Sequence, residues 1–563
     1  MVPRPSYVHG ASAHPLMGST ISECLQQTIN RFPERDALVV RHQGIRWSYA
    51  DLGRKVDQLA ASLLRTGLGP GDRLGIWSPN CAEWTLTQFA AAKAGIILVT
   101  INPAYQLREL EFVLRHVGCR ALVLSPRFRD SDYLMMLQAL APELGQARPG
   151  HLCAARLPGL QIVIRLGREI TPGMLNFDDL LIKPTAPDLA ELAGVAETLQ
   201  SDDPINIQFT SGTTGLPKGA TLTHHNLLNN GHCVVEALRF TEKDRLCIPV
   251  PLYHCFGMVM GNLGCVSHGA CMVYPGEAFD PQSILEAIQA ERCTALYGVP
   301  TMFIRILDEP GIGRYDLKSL RTGIMAGAPC PVEVMKRVVA QLHMREVTIA
   351  YGMTETSPVS FQSAWDDSIE RRVSTVGRIQ PHLEAKVVDS VGRVVPRGTK
   401  GELLVRGYSV MPGYWGEPGK TAEAIDLNGW MRTGDLATLD EEGYCNIVGR
   451  LKDVVIRGGE NIYPREVEEY LGQHPMIQEV ACVGVPDPRN GEELCACVVR
   501  RPGAACTPDE LRAFCRGQIA RYKIPRYFHF VEQLPMTVTG KIQKFILREQ
   551  LVGQLGLMEI KTA

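Results

Sequence analysis

Helical and strand patterns alternate along the chain from residue 21 to about residue 200. Residues 82–93 have the composition of a helix, Gly95 interrupts it, and residues 96–101 form an apolar run typical of a buried strand. Helices that alternate with apolar strands are the pattern of open parallel sheets with covering helices. The sequence therefore predicts an α/β fold in which a large N-terminal domain contains layered, mostly parallel sheets. Nothing in this segment points to a chemical role beyond that of a scaffold.

The pattern changes after Lys452. We expect helices at residues 464–471 and 508–520, the second capped by Thr507, and strands at residues 479–485 and 494–500. A chain of 563 residues is also longer than one hydrophobic core usually serves. We predict a large domain over residues 1–451 and a small α+β domain over residues 452–563.

The composition excludes several classes of protein. The hydrophobic fraction of 45% and the charged fraction of 21% are those of an ordinary soluble globular protein. A net charge of −2 gives no electrostatic reason to expect nucleic acid or an anionic membrane as the main partner. The 17 cysteines form no C-x-x-C pair, which fits buried thiols in a reducing compartment better than disulfides or cysteine-bound zinc.

Neither end of the chain carries a recognisable address. Residues 1–20 lack an apolar core of signal-peptide length and are expected to be a short loose arm, and the last residues are not Ser-Lys-Leu. No apolar run is long enough to span a bilayer. We therefore expect a cytoplasmic protein, with the mitochondrial matrix as the alternative if the chain is the mature form of a longer precursor. Residues 146–158, which contain Pro149 and Gly150, are predicted to be an exposed excursion.

Residues 210–219 combine three glycines, four hydroxyl side chains and one lysine. Glycines let backbone N–H groups approach phosphate oxygens, hydroxyls add donors and can reach a phosphate-bound Mg²⁺, and Lys218 supplies positive charge. The segment is not a Walker A loop, because Gly219 follows the lysine. A flexible surface loop is the alternative. Residues 205–209 alternate as a strand and Thr223 can cap a helix, so we expect the loop to leave a strand and end near a helix.

Four further motifs follow in the chain. They are Tyr351, Gly352, Met353, Thr354 and Glu355; Thr433, Gly434 and Asp435; Gly449, Arg450, Leu451, Lys452 and Asp453; and residues 535–541, which end in Lys541. With the loop at residues 210–219, their order and spacing resemble the adenylate-forming superfamily of acyl-CoA synthetases, adenylation domains and firefly luciferase. The likeness covers nearly the whole chain and is strongest to medium-chain fatty-acid CoA ligases.

The resemblance implies a two-step ligase. A fatty carboxylate would attack the α-phosphorus of MgATP to give acyl-adenylate and pyrophosphate, and coenzyme A would then displace AMP. It implies that Lys541, Thr210, Lys218 and Glu355 act in catalysis, that Thr214 and Glu355 hold Mg²⁺, and that Lys452 is the hinge of a mobile small domain. The implied nucleotide and coenzyme A contacts are Thr210, Ser211, Gly212, Thr213, Thr214, Gly215, Leu216, Pro217, Lys218, Gly327, Ala328, Pro329, Tyr351, Gly352, Thr354, Asp435, Arg450, Gly459 and Lys541.

The resemblance also places an acyl pocket around His254, Phe256, Gly257 and Met302. Without the resemblance, several of these residues have simpler explanations. His254 could be a hydrogen-bonded core histidine, residues 326–328 could form a tight turn, and Thr354 and Glu355 could start a helix. Asp435, an expected acceptor for the ribose hydroxyls, is predicted to lie in a turn. Two rival functions remain, an aryl-CoA or amino-acid adenylating enzyme and a non-catalytic nucleotide-binding scaffold. The oligomeric state is open.

Overall fold

The computed structural model describes residues 4–210, 217–457, 460–537 and 542–557. These residues fall into two compact units. The larger unit comprises His9–Glu384 and Val405–Met431, and the smaller unit comprises Met1–Val8, Ala385–Leu404 and Arg432–Ala563. The boundary predicted at residue 452 remains a prediction.

The strands of the described residues are, in chain order, β1 (Tyr7–His9), β2 (Asp36–Val40), β3 (Ile45–Ser48), β4 (Arg73–Trp77), β5 (Ile97–Thr100), β6 (Ala121–Leu124), β7 (Arg127–Phe128), β8 (Ser131–Asp132), β9 (Ile162–Arg165), β10 (Leu175–Asn176), β11 (Pro204–Thr210), β12 (Lys218–Thr223), β13 (Arg245–Cys247), β14 (Cys271–Tyr274), β15 (Ala295–Gly298), β16 (Thr322–Ala326), β17 (Glu346–Gly352), β18 (Val359–Gln362), β19 (Arg378–Ile379), β20 (Leu383–Val388), β21 (Gly401–Gly407), β22 (Gly413–Tyr414), β23 (Met431–Leu439), β24 (Cys445–Arg450), β25 (Val455–Arg457), β26 (Glu460–Ile462), β27 (Ile477–Asp487), β28 (Gly491–Arg500) and β29 (Tyr527–Phe530).

The helices are α1 (Ile21–Arg31), α2 (Tyr49–Arg65), α3 (Ala82–Lys93), α4 (Leu107–His116), α5 (Tyr133–Leu140), α6 (Ala186–Thr198), α7 (His224–Glu236), α8 (Gly264–His268), α9 (Pro281–Glu291), α10 (Pro300–Leu307), α11 (Val332–Gln341), α12 (Ile369–Ser374), α13 (Pro418–Ala424), α14 (Pro464–Leu471), α15 (Pro508–Cys515) and α16 (Lys544–Gln554). A π-helix, Phe256–Leu263, runs directly into α8.

Two large sheets form the larger unit. The first has the order β19-β18-β17-β16-β15-β13-β14-β2-β3 and the second the order β10-β9-β6-β4-β5-β11-β12-β22. Their central strands are parallel, and antiparallel strands lie towards the ends of the order. Strands such as β6, of sequence Ala-Leu-Val-Leu, are apolar at every position because both faces of a parallel sheet are covered.

Three clusters of buried side chains show the layers of this unit. One joins Leu74 of β4 and Leu246 of β13 through α2, α3 and α7, and therefore lies between the two sheets. A second lies on the outer face of the first sheet under α9, α10 and α11, and a third on the outer face of the second sheet under α4 and α5. The predicted fold of layered, mostly parallel sheets is confirmed.

The smaller unit contains two further sheets. One has the order β1-β20-β21-β23-β24; the other has the order β26-β25-β28-β27, with β29 paired to β28. The second sheet is built entirely from residues after Lys452. Its two faces are covered by α14 and α15 on one side and by α16 on the other. Strands β27 and β28 cover the two strands expected at residues 479–485 and 494–500, and α14 has the expected bounds.

Three expectations of local structure need correction. Residues 146–158 are irregular and mostly exposed, as expected, but Leu152, Ala154 and Leu157 are buried in the core under the second sheet. The N-terminal arm is not loose throughout, because β1 pairs with β20 and Ser6 is fully buried. The second helix of the C-terminal segment ends at Cys515 instead of residue 520.

Candidate active site

The predicted phosphate loop joins two strands. β11 and β12 are antiparallel, and Thr210 lies directly opposite Lys218, so the ladder fixes both ends of the loop. We expected a helix after the loop; β12 comes first, and α7 follows it, capped by Thr223, whose hydroxyl accepts a hydrogen bond from the Asn226 backbone N–H. Pro217 lies within the described residues. The loop residues Ser211, Gly212, Thr213, Thr214, Gly215 and Leu216 lie outside them.

The carboxylate of Glu355 lies beside the root of this loop. Its Oε1 atom accepts a hydrogen bond from the Thr210 hydroxyl at 3.3 Å and from the Tyr414 hydroxyl at 2.9 Å. The Lys218 Nζ atom lies 4.9 Å from the centre of the Tyr414 ring. The structure thus brings three predicted residues together, and adds Tyr414, which sequence reasoning missed.

The environment of Glu355 is suited to a cation. Glu355 is only 6% exposed, and none of the described residues forms a salt bridge with it. Burial, with a contribution from Glu355, raises the pKa of Tyr414 well above its usual value, so this phenol stays a proton donor. Because buried carboxylates are normally paired or bind metals, and Mg²⁺ prefers oxygen ligands, the residues present fit a Mg²⁺ ion.

A tight turn holds Glu355 in place. β17 ends at Gly352, where a Cβ atom would lie 1.7 Å from the carbonyl oxygen of Pro358, so no other residue fits without movement. The next residues form a single 3₁₀ turn, Thr354–Thr356, so the alternative role of Thr354 and Glu355 as a helix start amounts to one turn. The Thr356 hydroxyl donates to the Pro358 carbonyl at 2.8 Å, and the Met411 N–H donates to the Glu355 carbonyl at 3.0 Å.

The two segments predicted to contact adenine emerge at the same edge of the first sheet. β16 and β17 are parallel neighbours, with Ala326 opposite Ala350. Gly327 follows β16 with a φ angle of +90°, which favours glycine, and Gly327, Ala328 and Pro329 are all exposed. Tyr351 lies at the end of β17, with its ring edge-on to Phe361 at 6.3 Å. Ligands of α/β proteins commonly bind at the carboxyl ends of such strands.

The predicted acyl-pocket residues share one apolar region. Phe256 and Met302 belong to the same buried cluster, and the Phe256 ring lies 5.5 Å from that of Tyr297. Phe256 begins the π-helix, an element often found at functional sites. Gly257 is required here, because a Cβ atom would lie 2.4 Å from the Pro251 carbonyl oxygen. His254 Nδ1 accepts a hydrogen bond from the Phe256 N–H at 3.2 Å.

A buried polar contact connects this region to the strand before the phosphate loop. The Cys255 thiol donates to Oε1 of Gln208 in β11 at 3.0 Å, and Gln208 Nε2 donates to the sulfur of Met258 at 3.0 Å. Burial and the nearby Glu355 charge raise the pKa of Cys255 far above its usual value, so the thiol is not a nucleophile. The sequence contained no signal for this contact beyond the alternation that faces Gln208 inward.

The smaller unit contains the predicted ribose residue. Asp435 lies within β23 and not in a turn, directly opposite Arg450 of β24. The Asp435 Oδ1 atom is 3.3 Å from Arg450 Nε, and the Thr433 hydroxyl accepts a hydrogen bond from the Asp435 N–H at 3.1 Å. Lys452 lies in the 3₁₀ turn Leu451–Asp453 that follows β24 at once. Gly459 and Lys541 lie outside the described residues.

Comparison with known proteins identifies the family. The model for AMP-binding enzymes matches residues 25–415, and that for the C-terminal domain of AMP-binding enzymes matches residues 466–541. The chain belongs to the AMP-binding enzyme family.

Individual relatives agree with this assignment. The chain is 50% identical to the mitochondrial medium-chain acyl-CoA ligase ACSF2 of Danio rerio over 98% of its own length and 91% of that protein. Among solved structures, ATP-bound MatB from Rhodopseudomonas palustris is 31% identical, with a TM-score of 0.81 over 95% of this chain and 99% of that one. The anthranilate CoA ligase AuaEII in complex with anthranoyl-AMP is 26% identical, with a TM-score of 0.83 over 97% and 99%. The expected superfamily and the expected enzyme class, an AMP-forming acyl-CoA ligase, are confirmed.

No helix in the described part of the chain is both long and apolar enough to cross a membrane.

Proposed function

We propose that the protein is a fatty acid–CoA ligase that prefers medium-chain acids. The observation that carries the adenylation step is the buried Glu355 carboxylate, held by Thr210 and Tyr414 at the root of the phosphate loop. The preference for medium-chain acids is supported by the name of the Danio rerio relative. In the first step a fatty carboxylate attacks the α-phosphorus of ATP and pyrophosphate leaves. In the second step the thiol of coenzyme A attacks the acyl carbon and AMP leaves.

The residues of the larger unit have separate roles in this proposal. Residues 210–218 hold the phosphates through backbone N–H groups, hydroxyls and the Lys218 ammonium group, so that fixed donors meet the charge that develops on the transferring group. Glu355, with Thr214, would hold Mg²⁺, which neutralises charge on the leaving pyrophosphate. Gly327, Ala328, Pro329, Tyr351, Gly352 and Thr354 form the adenine side.

The acyl group is assigned to the region of His254, Phe256, Gly257 and Met302. Phe256 and Met302 are each 7% exposed, and the cluster around them is apolar. Burial of each methylene contributes about 0.8 kcal/mol, or roughly fourfold in affinity, until the pocket is filled. An aliphatic acid therefore suits the site better than an amino acid, whose ammonium group would need a partner.

The remaining roles rest on the family resemblance. Asp435 would accept hydrogen bonds from the ribose hydroxyls, and Arg450 would contact the nucleotide. Gly459 would border the path of the coenzyme A thiol. Lys541 would stabilise the first transition state, and rotation at Lys452 would exchange the groups needed for the two steps.

A pyrophosphate-release assay tests the substrate assignment. Straight-chain acids of short, medium and long length are compared with aromatic and amino acids, each with and without coenzyme A. We expect the highest kcat/KM with medium-chain acids, and formation of thioester and AMP only when coenzyme A is present. Equal or better turnover with an aromatic or amino acid would favour the rival adenylating enzymes, and no pyrophosphate with any acid would favour a scaffold.

A half-reaction assay tests the role of Lys541. Lys541→Ala should slow adenylation by about 10²–10³-fold, the usual cost of one well-placed donor. Thioester formation from synthetic acyl-adenylate and coenzyme A should continue at close to the parent rate. Equal loss in both half-reactions would contradict an exchange of groups at Lys452.

Two cellular compartments are considered for the protein. The cytoplasm is the expectation from the sequence, and the mitochondrial matrix gains support because the Danio rerio relative is named mitochondrial. Fractionation of cells that express the natural gene distinguishes the two.

A further inference from the structure

Two histidines and a glutamate come together at the C-terminal end of α7. His232 and Glu236 lie one helical turn apart on α7, and His268 is the last residue of α8. One donor atom from each of the three side chains lies within 4.8 Å of the others. At about 1.5 Å per residue, this cluster is roughly 14–20 Å along α7 from Thr223, and none of its three residues is among those assigned to ATP, the acyl group or coenzyme A.

Each ring nitrogen of His268 has a polar partner. The Ser267 hydroxyl donates its single proton to the Gly264 carbonyl at 2.9 Å. His268 Nδ1 is 2.9 Å from the same hydroxyl oxygen and donates to it when Nδ1 carries the proton. In the neutral ring, Nε2 then presents a lone pair to Oε2 of Glu236, which is 2.9 Å away. In that state a proton or a metal ion between Nε2 and Oε2 holds the two atoms at this distance.

The third side chain favours a metal ion over a proton as that cation. The His232 ring is stacked on His268, with centroids 4.8 Å apart and an angle of 26° between the planes. Its Nδ1 atom is buried and has no hydrogen-bond partner among the described residues. A proton shared by His268 and Glu236 makes no use of His232. A metal ion takes a nitrogen from His232 as its third ligand.

The donor set and its support match a zinc site. Imidazole nitrogens and a carboxylate bind Zn²⁺ at about 2.0–2.2 Å, which places neighbouring donors roughly 3.3 Å apart. Here His268 Nε2 and Glu236 Oε2 are 2.9 Å apart, and all three donor atoms lie within 4.8 Å of one another. Histidines that bind a metal usually donate their other N–H to a fixed acceptor, as His268 does to Ser267.

We propose that His232, Glu236 and His268 bind a Zn²⁺ ion that links α7 to α8. These two helices pack on the π-helix between them in the chain, which carries Phe256 and Gly257. The ion would stabilise the packing of this segment, and the site is independent of the function proposed above.

Zinc uptake by the full-length protein tests the site. The protein is stripped with a chelator and titrated with Zn²⁺ against a chromophoric zinc indicator, with excess Mg²⁺ present to occupy the Glu355 site. We expect one Zn²⁺ per chain with micromolar or tighter affinity, and a higher midpoint of thermal unfolding when Zn²⁺ is bound.

Two variants remove ligands without removing the local packing. His232→Phe keeps a ring stacked on His268, and Glu236→Gln keeps an acceptor opposite Nε2. Each should weaken Zn²⁺ binding by about 100-fold or more and abolish the rise in unfolding temperature, while pyrophosphate release in Mg²⁺ is unchanged. His151→Gln and Cys153→Ser, at exposed positions outside the cluster, should bind Zn²⁺ like the parent.

The proposal is overturned if the parent protein binds no Zn²⁺ in the presence of Mg²⁺. It is also overturned if either ligand variant binds Zn²⁺ as tightly as the parent. Should one variant fail to fold in chelator, the other still decides the result, because the two changes act on different side chains.

Discussion

Glu355 in the larger unit and Asp435 in the smaller unit are both carboxylates assigned to ATP, but their surroundings differ. Glu355 is buried and held by the neutral hydroxyls of Thr210 and Tyr414, with no salt bridge to any described residue. Asp435 lies across a strand pair from Arg450, whose side chain is 64% exposed. A buried anion without a fixed counter-charge favours a mobile cation, whereas an anion already beside an arginine serves better as a hydrogen-bond acceptor.

The largest effect is expected at the buried carboxylate. Glu355→Gln keeps an acceptor for Thr210 and Tyr414 but removes the charge that would hold Mg²⁺, so adenylation should fall by about 10²–10³-fold while the fold is retained. Pyrophosphate release measures adenylation, and circular dichroism measures whether the fold is retained. The control is Glu333→Gln, at an exposed carboxylate, which should be silent. Full activity of Glu355→Gln would show that the charge of Glu355 is not needed to hold Mg²⁺.

The buried side chain of His224 should make the stability of the larger unit depend on pH. His224, the first residue of α7, is buried; its Nδ1 accepts the Ile21 N–H, and burial lowers its pKa to about 4. Since the folded-state pKa lies below the unfolded value of 6.5, the unfolded chain binds the proton first. His224 therefore contributes fully above pH 6.5, and up to about 3 kcal/mol of that contribution is lost as the pH falls towards 4.

His224→Asn isolates this contribution, because its amide oxygen can replace Nδ1 as the acceptor for Ile21. Unfolding by urea at pH 7.5, 6 and 5 should show a smaller loss of stability in the variant than in the parent. Parallel curves for the two proteins would contradict a neutral, buried His224.

A moderate effect is expected at Asp435. Asp435→Ala should raise the KM for ATP by about tenfold, the loss of one or two hydrogen bonds to the ribose. Stability should change by less than about 1 kcal/mol, because the Arg450 end of the ion pair is exposed to water and such pairs contribute little. Steady-state kinetics and thermal unfolding measure both. Unfolding of the variant at ordinary temperature would make Asp435 a structural residue.

The smallest effect is expected at Tyr414. Tyr414→Phe removes one of the two hydroxyls that donate to Glu355 and leaves the ring that faces Lys218. A net loss of about 1 kcal/mol should raise the Mg²⁺ concentration needed for half-maximal rate roughly fivefold. Titration of the rate with Mg²⁺ gives this value. An unchanged requirement for Mg²⁺ would mean that Tyr414 does not position the metal ligand.

The sequence predicted the features that depend on neighbouring residues, such as helix bounds and helix caps. The bounds of α3 and α14 agree with the expected residues, and Thr223 caps α7 through Asn226, since spacing, proline and capping residues act within a few positions. Residues far apart in the chain were missed. Tyr414 meets Glu355 across 59 positions and Cys255 meets Gln208 across 47, and no periodicity marks such partners.

The errors have the same origin. Residues 151–157 are irregular in sequence, yet tertiary packing buries every second or third side chain. Asp435 follows Gly434, whose φ of +70° suggests a turn, but the hydrogen bonds to β24 continue the strand through it. The sequence of one short segment does not show which distant strand or core it will pack against.

The π-helix at Phe256–Leu263 has a consequence for how the substrate range of such an enzyme can change. A π-helix has more residues per turn than an α-helix, so the loss of one residue within it shifts the segment towards α-helical winding. Side chains inside Phe256–Leu263 would then face new directions, whereas the elements before and after the segment would keep their places. The lining of the acyl site could thus be exchanged in one step, with the sheets on either side left in register.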